Sequence, residues 1–117
     1  MNEKSLDLSV LRTIFEDDVL EISNLLAEVA KTVTRVEDRL TEASERQEWT
    51  SAGKLLHEMK GVGASTGCVE VAYLCESTEA DLAAHRYDRI PGRLQSLRSA
   101  CNRLRVAIRE ASVREPA

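Results

Sequence analysis

One histidine near the middle of the chain has neighbours that suit it to meet an anionic group on another molecule. Gly53 lies four residues before His57 and Gly61 four residues after it, so on a helix all three share one face. A glycine inside a helix costs about 1 kcal/mol relative to alanine, and two of them beside one imidazole leave bare backbone around the ring. Lys60, one turn further on, would place a positive charge beside an incoming anion. The spacing therefore predicts an outward-facing histidine that a large partner can reach.

Two other interpretations concern the same stretch of sequence. The helix could fray into the Gly, Ser and Thr residues of segment 61–67, which would leave His57 an ordinary surface residue. That segment is not a nucleotide-binding loop, because it follows no strand and lacks both the dinucleotide spacing and the Gly-Lys-Ser/Thr ending. The sequence therefore offers no route for phosphate from ATP, and any phosphoryl group must come from another protein. The second histidine, His85, is predicted to be an exposed loop residue.

The composition favours helices around one core. The 117 residues are 43% hydrophobic but only 3% aromatic, which argues against a β-sandwich and for a single domain over 1–117 with its core at about 7–113. No apolar run is long enough to span a membrane, and the N-terminus lacks a secretory signal. The odd number of cysteines suits small buried residues in a reducing compartment. We expect a cytoplasmic protein without a membrane partner, and the initiating Met1 favours a free-standing one.

Charge is distributed unevenly along the chain. Residues 1–50 carry a net charge of −6, residues 51–84 carry −3 and residues 85–117 carry +5, with arginine as the only basic residue type in the last segment. Clustered arginines raise the possibility of nucleic-acid binding. No aromatic platform accompanies them, however, and the acidic helices offer partners within the chain. We therefore expect no nucleic-acid partner.

The spacing of apolar residues predicts five helices. Apolar residues alternate at intervals of three and four along each of the longer segments, as in helices that pack lengthwise. The predicted helices cover residues 8–15, 19–43, 49–63, 68–82 and 90–108. Asp7 and Asp88 are placed to cap the first and the last of them. Because the connections are short, the fold class is predicted as all-α, an antiparallel up-down four-helix bundle with an additional short N-terminal helix.

The pattern His-x-x-Lys-Gly-x5-Gly over residues 57–67 resembles the signature of histidine-containing phosphotransfer domains, the four-helix carriers of two-component phosphorelays. The likeness extends from about Asp7 to Arg109, because the predicted helices match the architecture of that family in number and length. It also includes segment 71–76, an apolar run that ends in glutamate. This resemblance implies a phosphocarrier in signal transduction, not an enzyme with its own ATP site.

The resemblance also implies roles for three residues. His57 would be the phosphorylated residue, its neutral imidazole attacking the phosphorus of an aspartyl phosphate on a receiver domain. Lys60 would steady the phosphoryl oxygens; the alternative, a solvated surface lysine, is disfavoured by its position three residues after His57. Gly61 would let a loop of the receiver come close. The chain would need no cofactor of its own, because the receiver would bring Mg²⁺.

The partners implied by the resemblance are response-regulator receiver domains and a hybrid sensor kinase, which a monomeric carrier would meet around His57. Lys54, one turn before the histidine, would add positive charge that suits an acidic receiver pocket. Small or apolar residues off the core stripes are the candidates for docking. They are Leu11, Phe15, Leu20, Val62 and Ala64.

Several residues depart from the pattern of the family, and two of these departures bear on function. Leu56 stands where a small residue usually precedes the histidine, and Glu79 where some relatives have an uncharged polar residue. A carboxylate there favours a protonated imidazole and repels a phosphoryl group, so Glu79 is predicted to modulate transfer. Both favour an alternative function, a phosphorylation-incompetent helical adaptor that binds a kinase or a response regulator. A metal or haem site is disfavoured, because Cys68, Cys75 and His57 come from faces that do not converge.

Overall fold

The chain is all-α, as the composition and the apolar spacing predict. The computed structural model describes residues 5–114, with side chains up to residue 111, and contains no strand in that range. The helices are α1 (Leu8–Ile14), α2 (Val19–Glu45), α3 (Trp49–Thr66), α4 (Val69–Ala83) and α5 (Ile90–Arg114), with a 3-10 turn at Tyr87–Arg89 before α5. None of the described helices has the length and apolar character needed to cross a membrane.

Aspartates begin the first two helices. The Asp7 carboxylate accepts a hydrogen bond of 3.0 Å from the backbone N–H of Ser9, which confirms the predicted cap of α1. Asp18 accepts one of 3.1 Å from Glu21 at the start of α2. Each carboxylate satisfies a backbone donor that has no partner within its helix.

The predicted cap of the last helix is wrong. Asp88 lies inside the 3-10 turn, and α5 begins two residues later at Ile90, with Pro91 in its first turn. The fixed φ of proline suits the first turn of a helix, where the missing N–H removes no hydrogen bond. The chain therefore enters α5 through the turn and its proline, without an aspartate cap.

The four long helices enclose one hydrophobic core. They contact one another in a ring, α2 with α3, α3 with α4, α4 with α5 and α5 with α2, in a body 47 × 21 × 20 Å in extent. Leu6, which precedes α1, is also buried in this core. Representative side chains that the core buries completely are Leu26, Val36, Leu56, Val71 and Leu104.

Arginines of α5 pair with acids of the neighbouring helices, as the uneven charge predicts. Nε and Nη2 of Arg103 each donate a hydrogen bond of 3.0 Å to Glu70 of α4. Nη2 of Arg105 lies 3.1 Å from Glu37 of α2. Part of the positive charge of this segment is therefore used within the chain, because these two arginines are paired with acids of neighbouring helices.

One buried carboxylate, missed by the sequence analysis, joins α4 to α5. Asp81 is 1% exposed, whereas Leu82, which the apolar spacing placed on the buried stripe, is only half-buried. The carboxylate accepts a 2.6 Å hydrogen bond from Nε of Arg93 and a 3.3 Å bond from Nη1 of Arg86, with Arg89 at 3.7 Å. Hydrogen bonding to Arg93 is the main cause that lowers the pKa of Asp81 below its ordinary value of 3.8.

Candidate functional site

His57 projects from the middle of α3 into solvent. Its side chain is 77% exposed, which confirms the predicted outward orientation. Leu56, the preceding residue, is fully buried in the core on the other side of the helix. The bulk of this leucine therefore does not narrow the approach to the imidazole.

Glu79 of α4 is the acidic residue beside the imidazole. Its Oε2 lies 3.6 Å from Nδ1 of His57, a contact slightly longer than a hydrogen bond. The other carboxylate oxygen, Oε1, is buried and has no hydrogen-bond partner in the described part of the chain. Nδ1 therefore faces a carboxylate, and Nε2 is the ring nitrogen with no partner among residues 5–111.

Packing explains neither of the glycines that flank His57. A Cβ built at Gly61 would meet nothing within 4 Å, and one at Gly53 would meet only a methyl group of Leu82 at 4.0 Å. By contrast, a Cβ at Gly63 would lie 3.3 Å from Ala72, where α3 and α4 approach closely. The close approach of α3 and α4 therefore favours glycine at position 63, whereas a side chain at position 53 or 61 would have room.

Two lysines lie within one turn of His57. Lys54 is exposed and Lys60 is half-buried, and neither forms an ion pair with a residue in the described ranges. The neighbouring acid Glu58 is already engaged, since Arg35 of α2 lies 2.6 Å from its carboxylate. The ammonium groups of both lysines are therefore available to an anion that approaches the imidazole.

The predicted docking residues do not form one surface. Leu11 is 1% exposed and belongs to the core, so its assignment to a docking surface is wrong. The cause is that α1 packs against α3 and turns Leu11 inward. Phe15 and Val62 are half-buried, and Ala64 is exposed.

Leu20 is exposed but distant from the imidazole. The ion pair between Arg35 and Glu58 places residue 35 of α2 level with the centre of α3. Leu20 precedes Arg35 by 15 residues, about 22 Å along the helix at 1.5 Å per residue. Leu20 therefore lies well away from the imidazole along the bundle.

The three cysteines are inert core residues. All three are buried and unpaired, and burial raises the pKa of both Cys75 and Cys101 to about 12. No cluster of three metal-ligating side chains occurs among the described residues. The three thiols therefore lie in the core, whereas the imidazole of His57 lies on the surface.

The fold and the site together define a class of protein. An all-α chain that holds one imidazole on an open helix face, with cations beside it, can carry an anionic group that another protein delivers and removes. A comparison with known protein families matches residues 11–109 to the Hpt domain, and the chain belongs to that family. Hpt domains are phosphocarriers in two-component signalling, where they exchange phosphoryl groups with response-regulator receiver domains. Neither the curated proteins nor the solved structures contain a match.

Proposed function

We propose that this chain accepts a phosphoryl group on His57 from an aspartyl-phosphate receiver domain and passes it to a second receiver domain. The observation that carries the proposal is the exposed imidazole of α3, whose Nδ1 faces Glu79 and whose Nε2 has no partner in the described structure. A hybrid sensor kinase is the proposed source of the first receiver domain. The groups of this chain that are assigned to the phosphoryl group all lie in one copy, so a monomer suffices for the reaction, which we assign to the cytoplasm.

The proposed step is an in-line displacement at phosphorus. Nε2 of neutral His57 forms the new N–P bond while the P–O bond to the receiver aspartate breaks, and the aspartate leaves as a carboxylate. Nδ1 keeps its proton, so positive charge develops on the ring as the bond forms. Glu79 Oε2, 3.6 Å from Nδ1, is placed to stabilise that charge.

Positioning and charge supply most of the catalysis in phosphoryl transfer, because the transition state is loose. Lys60 and Lys54 are assigned to the phosphoryl oxygens and to the acidic pocket of the receiver, respectively. Mg²⁺ is assigned to the receiver, and the proposal gives this chain no cofactor of its own. Gly61 is assigned to steric access, since a Cβ there would stand in open space.

The contacts support an antiparallel up-down bundle as the scaffold. Between α2 and α5, Thr34 pairs with Arg105 and Thr41 with Arg98, so residue numbers rise along one helix as they fall along the other. Gly53 lies beside Leu82 and Gly63 beside Ala72, so α3 and α4 are also antiparallel. The connections between the helices are short. We propose this arrangement, within a single domain, as the frame that holds His57 at the middle of an exposed face.

Transfer of label tests the proposal. A panel of receiver domains from the source organism is phosphorylated with radiolabelled acetyl phosphate and Mg²⁺, freed of excess reagent and mixed with the full chain. We expect at least one receiver to transfer label to residue 57 as an acid-labile, base-stable phosphoramidate, mapped by peptide mass spectrometry. A chain that binds a receiver but takes no label would instead be the adaptor, which the carboxylate beside the ring favours.

Glu79→Gln is expected to lengthen the lifetime of the phosphorylated chain at pH 8 and to slow onward transfer, each by roughly fivefold to tenfold. The N–P bond breaks most readily when Nδ1 is protonated, and the carboxylate that favours the protonated ring is replaced by a neutral amide. Glu58→Gln is the matched control. It also removes one negative charge next to His57, but from a carboxylate that pairs with Arg35 of α2. Decay of isolated phosphorylated protein gives the lifetime. Equal decay of Glu79→Gln and wild type would remove Glu79 from the proposed mechanism.

Gly61→Ala is expected to raise the free energy of unfolding by about 0.5–1 kcal/mol, because it adds helix propensity at a position with open space. The same change is expected to slow labelling by the receiver, because the methyl group occupies the space assigned to the receiver loop. Urea unfolding and initial transfer rates measure the two effects. Gly92→Ala, also in open space but on α5, should leave the transfer rate unchanged. A Gly61→Ala variant with wild-type transfer would refute the assigned role in access.

A further inference from the structure

Exposed apolar residues cluster on the face formed by α4 and α5. Val69 and Tyr73 of α4, four residues apart and therefore on one side of the helix, are 52% and 66% exposed. Val106 of α5 is 46% exposed. A shallow groove beside Val69 and Tyr73 and a second one beside Val106 adjoin the same ion pair, Glu70 with Arg103. This apolar cluster, here named the α4/α5 patch, plays no part in the proposed transfer.

We propose that the α4/α5 patch is a contact between two copies of this chain, packed about a two-fold axis with their α5 helices antiparallel. Arg103, Val106 and Glu110 follow one another at intervals of three and four residues and share one side of α5. An antiparallel pair centred between residues 106 and 107 sets Val106 against Ala107 of the other copy. The same register sets Arg103 opposite Glu110 of the other copy, and two-fold symmetry repeats both contacts.

The charges on this side of α5 complement themselves in that register. Nε and Nη2 of Arg103 are fixed by Glu70, which orients the guanidinium and leaves Nη1 without a partner among the described residues. Glu110 is exposed and forms no ion pair with any residue in the described ranges. Arginine can bind two carboxylates at once through its five donors. Each Arg103 can therefore bridge Glu70 of its own copy and Glu110 of the other.

The contact leaves the phosphorylation site open. His57 lies on α3, which packs against α2 and α4, whereas α5 packs against the same two helices from the other side of the ring. The apolar area is small, so we expect a weak dimer at the low end of interface size, below about 1,200 Å² in total. Association and phosphotransfer are accordingly separable properties of the chain.

Sedimentation velocity of the full chain between about 5 and 500 μM is the first measurement. We expect the weight-average mass of the wild type to rise with concentration toward that of a dimer. Val106→Glu and Glu110→Lys should each keep the chain monomeric, the first by placing a charge at the axis and the second by placing a cation opposite Arg103. Ile14→Glu, at an apolar position of α1 that is even more exposed than Val106, is the matched control and should associate like wild type.

Cross-linking tests the geometry independently of affinity. Val106→Cys should form a covalent dimer on mild oxidation, because the two-fold axis brings residue 106 of both copies together, whereas Ile14→Cys should not. A wild type that stays monomeric at 500 μM, or association that Ile14→Glu abolishes and Val106→Glu does not, would overturn the inference. Labelling of Val106→Glu by a phosphorylated receiver should equal that of wild type. Loss of the dimer and loss of transfer are therefore read from different assays.

Discussion

His57→Gln is expected to reduce labelling of the chain by a phosphorylated receiver to below roughly one thousandth of the wild-type rate. Glutamine has a similar size and polarity, but its amide nitrogen is not a nucleophile, so no N–P bond can form. The exposed side chain of His57 contacts Glu79 and carries no part of the core, and the fold should therefore persist. Circular dichroism and initial rates of label transfer measure the two properties on the same sample.

The second histidine provides the matched control. His85 is exposed in the turn between α4 and α5, where its ring stacks on Tyr87 at a centroid distance of 5.6 Å. His85→Gln removes an imidazole from the turn after α4 instead of from α3, and it should leave label transfer unchanged. Label that persists in His57→Gln and disappears in His85→Gln would move the phosphorylated residue to position 85. Label that persists in both variants would place it on another kind of side chain.

The sequence predicts the exposed histidine correctly because the relevant information is local. Residues four apart share a helix face, so the two glycines beside His57 follow directly from spacing. The regular apolar stripe of α2 and the aspartate at Asp7 are local signals of the same kind, and they predict a long helix and a helix start that the structure contains. Periodicity of this sort identifies which side of a helix is buried.

Spacing within one helix does not reveal how far two helices overlap. The apolar character of Leu20 is visible in the sequence, but its distance from the imidazole depends on the register of α2 against α3, which the Arg35–Glu58 pair fixes. The prediction for Leu11 is wrong because its burial depends on how a separate short helix docks. Asp81 lies inside because arginines from the following turn and from α5 reach its carboxylate. Each error concerns a contact between segments that are distant along the chain or separated by a turn.

Gly67→Ala is expected to lower the free energy of unfolding by about 3 kcal/mol. Gly67 ends α3 with φ +80°, in the left-handed region, where a Cβ is costly. Its carbonyl oxygen also accepts a 2.8 Å hydrogen bond from the backbone N–H of Asp7. A Cβ at Gly67 would overlap the carbonyl oxygen of Asp7, so the backbone that precedes α1 would have to move away. Urea unfolding at pH 7 measures the loss, and Gly92→Ala, in a helix with open space around it, should not lower stability.

The sequence pattern does not reveal whether Gly67 is needed for the turn after α3 or for phosphotransfer. The Gly67→Ala variant separates these two roles. Gly67 is ten residues from His57, about 15 Å along α3, and its close contacts are with the backbone of Asp7. The folded fraction of Gly67→Ala should therefore accept label from a phosphorylated receiver at the wild-type rate, measured at low temperature where the variant remains folded. A variant with full stability and lost transfer would reverse this assignment. The last glycine of the pattern would then act on the receiver directly, while the fold would tolerate a side chain where α3 turns into α4.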